Sequence, residues 1–95
     1  MTKKTTILSL INQVMRKHIT TGKVFVFGSQ ANKEEFIRAD IDVGFESKEE
    51  IPFKTYLKVK DELEELPTLF KFDLVDFSKV SKQFKKVAYQ NIELL

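Results

Sequence analysis

The chain has no cysteine among its 95 residues, which removes disulfides, thiolate metal sites and thiol nucleophiles together. A reducing, cytoplasmic setting fits that composition. No apolar run approaches the roughly 20 residues that a membrane-spanning helix needs, and Met1-Thr2-Lys3-Lys4 leads into an amphipathic pattern rather than a signal-peptide core. A soluble chain with no membrane partner is expected. There is no large excess of either charge: sixteen basic against fourteen acidic residues leave +2, so no overall basic field indicates nucleic acid and no acidic excess indicates disorder. Histidine is reduced to His18. That residue lies on an apolar helical stripe near the helix C-terminus, where an imidazole usually packs and meets the helix dipole rather than catalysing.

What is present is apolar material: the chain is 42% hydrophobic with nine Phe, enough for one core and one domain spanning residues 1–95. Charge is locally uneven. Lys79, Lys82, Lys85 and Lys86 crowd the last segment, and Asp61, Glu62, Glu64 and Glu65 cluster before Pro67; both read as solvated helix faces. Ile7, Leu10, Ile11, Val14, Met15 and His18 recur at helical spacing, with Thr5 or Thr6 available to cap the start. Val24-Phe25-Val26-Phe27 is a β-branched and aromatic run suited to a strand covered on both faces. After Gly28-Ser29, residues 30–36 read as a short helix and residues 39–45 as a second strand, alternating Ile41, Val43 and Phe45 with Asp40, Asp42 and Gly44. Pro52 opens a third helix carrying Phe53, Tyr56, Leu57, Leu63 and Leu66, residues 70–77 form a third strand, and Val80, Phe84, Val87, Ala88, Ile92 and Leu95 place a terminal helix after Ser78. The expected class is α/β (α+β): a small mixed sheet of about three strands backed by helices, in the order α-β-α-β-α-β-α.

Three features carry chemistry. Side chains at i and i+2 of a strand point to one face about 7 Å apart, so Asp40 and Asp42 present neighbouring carboxylates, whose natural occupant is a hard divalent cation. Gly28-Ser29 follows a buried strand and opens the next element, where glycine lets the backbone approach a phosphate and the Ser29 hydroxyl adds a donor. The third is an acid within Phe72-Asp73-Leu74-Val75-Asp76-Phe77. Asp73 and Asp76 differ by an odd number of positions, so a regular strand sends them to opposite faces and only one can join a site. Spacing does not choose between them.

Gly28-Ser29, ten intervening residues and then Asp40-Ile41-Asp42 resemble the G-S-x10-D-x-D signature of minimal nucleotidyltransferases in the DNA polymerase β superfamily. Phe72-Asp73-Leu74-Val75-Asp76 is similar to the family's later strand, whose first acid is the third metal ligand. The resemblance implies a nucleotidyltransferase fold and transfer of a nucleoside monophosphate, AMP from ATP, to a hydroxyl with loss of pyrophosphate. It makes Asp40, Asp42 and Asp73 the catalytic and metal-binding residues, holding two Mg2+ ions, with Asp76 the alternative third ligand. Gly28 and Ser29 become the nucleotide-binding residues for the nucleoside triphosphate. Gln30 stands where the family often has Arg, Ala39 where it often has Ser, and Arg38 is available as a cation near the phosphates. A D-x-D-x-[TV] phosphatase is the rival enzyme class, but that motif belongs after a first strand in a larger fold.

Larger relatives append a domain that shapes the acceptor site, and the chain has none after its third strand. The acceptor is therefore expected on another molecule. The family resemblance points to a small helical HEPN-type protein, the chain acting as antitoxin of a HEPN/MNT pair, with Leu94, Leu95 and the lysines 79–86 meeting it. The alternative is a catalytically inactive module that binds and neutralises a partner.

Overall fold

The structure is a computed structural model that describes residues 3–37 and 40–95; the Arg38 cation and the Ala39 strand start expected above lie outside the described residues. Helix α1 spans Lys4–His18 and strand β1 Lys23–Phe27. Strand β2 runs Asp40–Glu46, helix α2 Phe53–Glu64, strand β3 Lys71–Asp76, helix α3 Lys82–Ala88 and strand β4 Ile92–Leu94. The sheet order is β3-β2-β1-β4. β1 pairs antiparallel with β2 and with β4, whereas β2 pairs parallel with β3. That parallel pair needs a crossover, which α2 supplies. Among the described residues no helix is long and apolar enough to cross a membrane.

Alternation along the strands divides the molecule into two layers. Val24, Val26, Ile41, Val43, Phe45, Phe72 and Leu74 form one face, closed by Ile7, Ile11, Val14 and Met15 of α1 and by Val59 and Leu63 of α2. Burying such side chains is the main favourable term in folding, at roughly 25 cal/mol per Å² of apolar surface removed from water. α1 and α2 are also joined at the surface, where Glu62 accepts from Lys17 and pairs with His18. His18, expected to pack and to meet the helix dipole, is largely buried and pairs with Glu62, which its place on the stripe did not foretell. The opposite face carries Phe25, Phe27 and Phe77, with Val75, Val80, Ala88, Tyr89 and Ile92 packed around them. Gly44 is essential to that layer, because a Cβ there would lie 2.5 Å from Phe25 Cε2 and 2.7 Å from Phe77 Cε1. Tyr89 and Lys85 both donate to Glu46, fastening the α3 segment to the sheet.

Several local expectations are corrected. α1 starts at Lys4 with Lys3 as its cap and no side-chain cap bond, so neither Thr5 nor Thr6 performs that role; Lys4 instead anchors the start by donating to Glu93 at 2.7 Å. On α2 the buried stripe is Val59 and Leu63, while Phe53 and Leu57 are exposed. Residues 30–36 do not form a helix: a single 3-10 turn covers Gly28–Gln30, and Asn32 then takes a positive φ of 63° that ends it. The terminal helix stops at Ala88, and β4 is a fourth strand where helical spacing had been extended to Leu95. The reason is non-local, since the free edge of β1 offers backbone groups that must be paired. Leu95 N–H continues the ladder by donating to Val24 O at 2.9 Å.

Two outcomes follow. Gly44→Ala should destabilise the fold by about 1–3 kcal/mol in chemical denaturation, because the added methyl meets two interlocked rings that have no space to retreat. Burial raises the Glu46 carboxyl, but hydrogen bonds from Lys85 and Tyr89 with the charges of Lys85 and Lys23 outweigh it and hold the group below its ordinary value of 4.5. A carboxyl depressed in the folded state contributes stability above its unfolded pKa and loses it as pH falls through the folded value. The stability difference between wild type and Glu46→Gln should therefore be present at pH 7 and vanish in acid, read from denaturation midpoints across pH.

Candidate active site

The strand registers place the sequence-identified acids at one end of one sheet face. Asp42 is level with Asp73 across the parallel pair, and level with Phe27 across the antiparallel one. Phe27 is in turn level with Ile92 of β4. A single row thus crosses all four strands: Asp73, Asp42, Phe27, Ile92. Neighbouring strands are about 4.8 Å apart, so each residue in the row is next to its neighbour. Asp40 lies two positions from Asp42 on β2 and shares its face.

The choice between Asp73 and Asp76 is a matter of register and parity. Asp73 is exposed on the face of Asp42. Asp76 points with Phe72 and Leu74 to the opposite face, is 9% exposed, and accepts from Ser78 N at 2.9 Å and Ser78 Oγ at 2.7 Å. Its carboxylate closes the turn after β3. The acid that faces the pair is Asp73.

The cost of assembling these charges falls on Asp42. Burial raises its carboxyl above the ordinary value of 3.8, and the neighbouring charges of Asp73 and Asp40 raise it further. Gly28 presses the backbone against the same group. Its φ is +80°, and a Cβ built there would sit 2.6 Å from Asp42 Oδ2; both the left-handed conformation and the close approach call for glycine. The Gly28–Ser29 turn and the carboxylates are therefore one assembly. Because the element opened by Gly28 is a three-residue 3-10 turn rather than the short helix expected there, it has little helix dipole to offer a phosphate, leaving main-chain donors and the exposed Ser29 hydroxyl.

That turn is tied down from both sides. Asn91 Nδ2 donates to Gly28 O at 2.8 Å, and Asn32 Nδ2 donates to Asn91 Oδ1 at 3.1 Å and Ile92 O at 3.0 Å. Gln30 is buried, donates to Asp40 O at 3.0 Å and accepts from Ile37 N at 3.1 Å. It binds the loop to the start of β2, where the family's Arg would supply charge. Asn91 and Phe27 were missed in the sequence. Phe27 has a signal in hindsight, the parity it shares with Phe25; Asn91 has none, because its role depends on β4. The hydroxyls of both tyrosines are engaged within the fold: Tyr56 Oη donates to Leu74 O at 2.6 Å and Tyr89 Oη to Glu46.

A hard divalent ion suits this donor set, which is all carboxylate oxygen and carries repulsion that a cation would relieve. Among the described residues, no three His, Cys, Asp or Glu side chains gather closely enough to hold an ion. The acids share a face and an end of the sheet, and would have to turn toward one another to share a ligand.

The profile of the family described as Polymerase beta, Nucleotidyltransferase matches residues 10–95. Among solved structures, a chain from Shewanella oneidensis superposes with a TM-score of 0.78 at 15% identity, over 98% of this chain and 71% of that one. A chain from a complex described as a tri-AMPylated Shewanella oneidensis HEPN toxin with MNT antitoxin gives 0.74 at 16% identity, over 95% and 69%. A chain from a mutant toxin-antitoxin complex MntA-HpeT gives 0.72 at 18% identity, over 93% and 69%. At these identities the likeness establishes the shared fold. No curated protein matches the sequence.

A carboxyl raised in the folded state leaves stability intact below its unfolded pKa and withdraws it as pH rises through the folded value. In the absence of metal, Asp42→Asn should therefore melt higher than wild type at pH 7, with the difference disappearing as pH falls below about 4. A variant that melts lower at neutral pH would mean that the carboxylate holds the fold together.

Proposed function

Since the chain belongs to the polymerase β nucleotidyltransferase family, we propose that it transfers AMP from ATP to a hydroxyl on a partner protein, acting in the cytoplasm as the antitoxin of a HEPN/MNT-type pair. The observation that carries this reading is the shared face of Asp40, Asp42 and Asp73, with Gly28 packed on Asp42. The support for AMP and for a HEPN partner is the neighbouring complex, whose HEPN toxin is described as tri-AMPylated.

Asp40, Asp42 and Asp73 would hold magnesium, which when bound neutralises phosphate charge and lowers the pKa of an acceptor hydroxyl. The main chain at Gly28 lets a phosphate approach the carboxylates without a side chain intervening, and Ser29 Oγ donates to a phosphate oxygen. The acceptor oxygen forms a bond to the α-phosphorus, the bond from that phosphorus to the bridging oxygen breaks, pyrophosphate leaves, and the hydroxyl proton passes to water. His18, paired with Glu62 between α1 and α2, takes no part.

The alternative reading is a module that binds a partner without chemistry. Co-expression with a HEPN-type partner, followed by incubation with labelled ATP and magnesium, separates the two. Transfer of label to the partner, abolished by Asp42→Asn with the complex still intact, is the expected result. An intact complex that never carries label supports the binding module and excludes the enzyme. Magnesium and ATP together should also raise the melting temperature more than either alone, as ligands bound only by the native state do.

A further inference from the structure

Beside the carboxylates, on the same sheet face, lies a cleft of about 240 Å³ lined by Phe27, Gly28, Phe84, Val87, Ala88 and Asn91. It begins one strand away from Asp42, since Phe27 is the residue level with Asp42 on β1. Its wall is shared with the acid site, because the same Gly28 that lines the cleft is packed against Asp42 Oδ2. Its lining is aromatic and aliphatic: the Phe27 and Phe84 rings stand 6.3 Å apart at 79°, so a flat ring system entering the cleft can lie on one ring and meet the edge of the other. Phe84 and Val87 are 43% and 62% exposed, so the α3 side of the cleft is reachable from solvent.

We propose that this cleft seats the base of the nucleoside triphosphate and selects it by stacking rather than by hydrogen bonding. The inference rests on the nucleotidyltransferase reading of the neighbouring acids and adds the position and the manner of base recognition. Continuity argues for a nucleobase over a peptide side chain, since one backbone turn borders both the phosphate-binding end and the cleft. Selectivity follows from Asn91, the polar side chain in the lining. Its Nδ2 donates to Gly28 O and its Oδ1 accepts from Asn32 Nδ2, so the orientation of its amide is set by the turn rather than by a base edge. Stacking is tolerant of base identity and grows with ring area. Purine triphosphates should thus bind alike, and more tightly than pyrimidine ones.

The test is calorimetry with ATP, GTP, CTP and inorganic tripolyphosphate, each with magnesium, on the full chain and on Phe84→Ala. The expected result is GTP within a few-fold of ATP, CTP weaker, and an approximately tenfold loss of ATP affinity in Phe84→Ala with tripolyphosphate binding unchanged. The chain has no tryptophan, so Phe84→Trp introduces a single indole. The fluorescence of that variant should be quenched by ATP and GTP but not by tripolyphosphate. This second readout holds if Phe84→Ala does not fold. ATP affinity unaffected in Phe84→Ala, or an indole that saturating ATP leaves unquenched, overturns the base seat. Tripolyphosphate binding that is lost in Asp42→Asn, measured alongside, would leave the catalytic reading standing, and binding that does not depend on Asp42 would remove that reading separately.

Discussion

The parallel register of β2 and β3 is the constraint on which the site depends. It sets Asp42 level with Asp73, so that burial first and then the charge of its neighbour on the adjacent strand raise the Asp42 carboxyl. A parallel pair cannot be closed by a tight turn, so the chain must leave the sheet through α2 and return. The buried contacts of Val59 and Leu63 with the α1 stripe stabilise that crossover. The large apolar core on one face thereby maintains an unfavourable charge arrangement on the other. Concentrated repulsion at a sheet end is a physical mark of a cation site, because a purely structural sheet gains nothing from it.

The second layer determines what surrounds the charges. Phe25, Phe77 and Tyr89 pack across Gly44, with Phe77 and Tyr89 stacked at 5.4 Å and Phe25 edge-on to Phe77 at 4.9 Å. This cluster and the Glu46 latch seat the α3 segment over β1 and leave Phe84 beside Phe27. β4 completes the layer and brings Asn91 to the carbonyl of Gly28. The turn beside Asp42 is thus fixed by a strand nearly at the other end of the sequence.

Much of this was legible in the residues alone. Alternation in Asp40-Ile41-Asp42-Val43 gave a strand with paired acids, and Gly28-Ser29 after an apolar strand gave a turn suited to close approach. The parity of Asp73 and Asp76 showed that only one could join, but choosing Asp73 required its register with β2, a contact spanning some thirty residues that no local pattern encodes. The same limit explains β4. Ile92 and Leu95 continue the spacing of α3, and only the open edge of β1 makes that segment a strand. Residues 30–36 do not continue as a helix for a local reason, since Asn32 at positive φ and a buried Gln30 hydrogen-bonded to Asp40 O and Ile37 N stop it after one turn. Of the two C-terminal leucines expected to stay uncovered, Leu94 is 63% exposed, whereas Leu95 packs against the core.

The central claim is that the row of acids and the Gly28 turn form one cation and phosphate site at one end of one sheet face. Paramagnetic broadening by Mn2+, followed through backbone amide resonances, tests it most directly. Gly28, Ser29, Asp40, Asp42 and Asp73 should broaden first and together, with Asp42→Asn abolishing the effect, while Glu62 on the opposite layer stays sharp. Preferential broadening at the exposed acids of α2, or no saturable broadening at the sheet end, would contradict it.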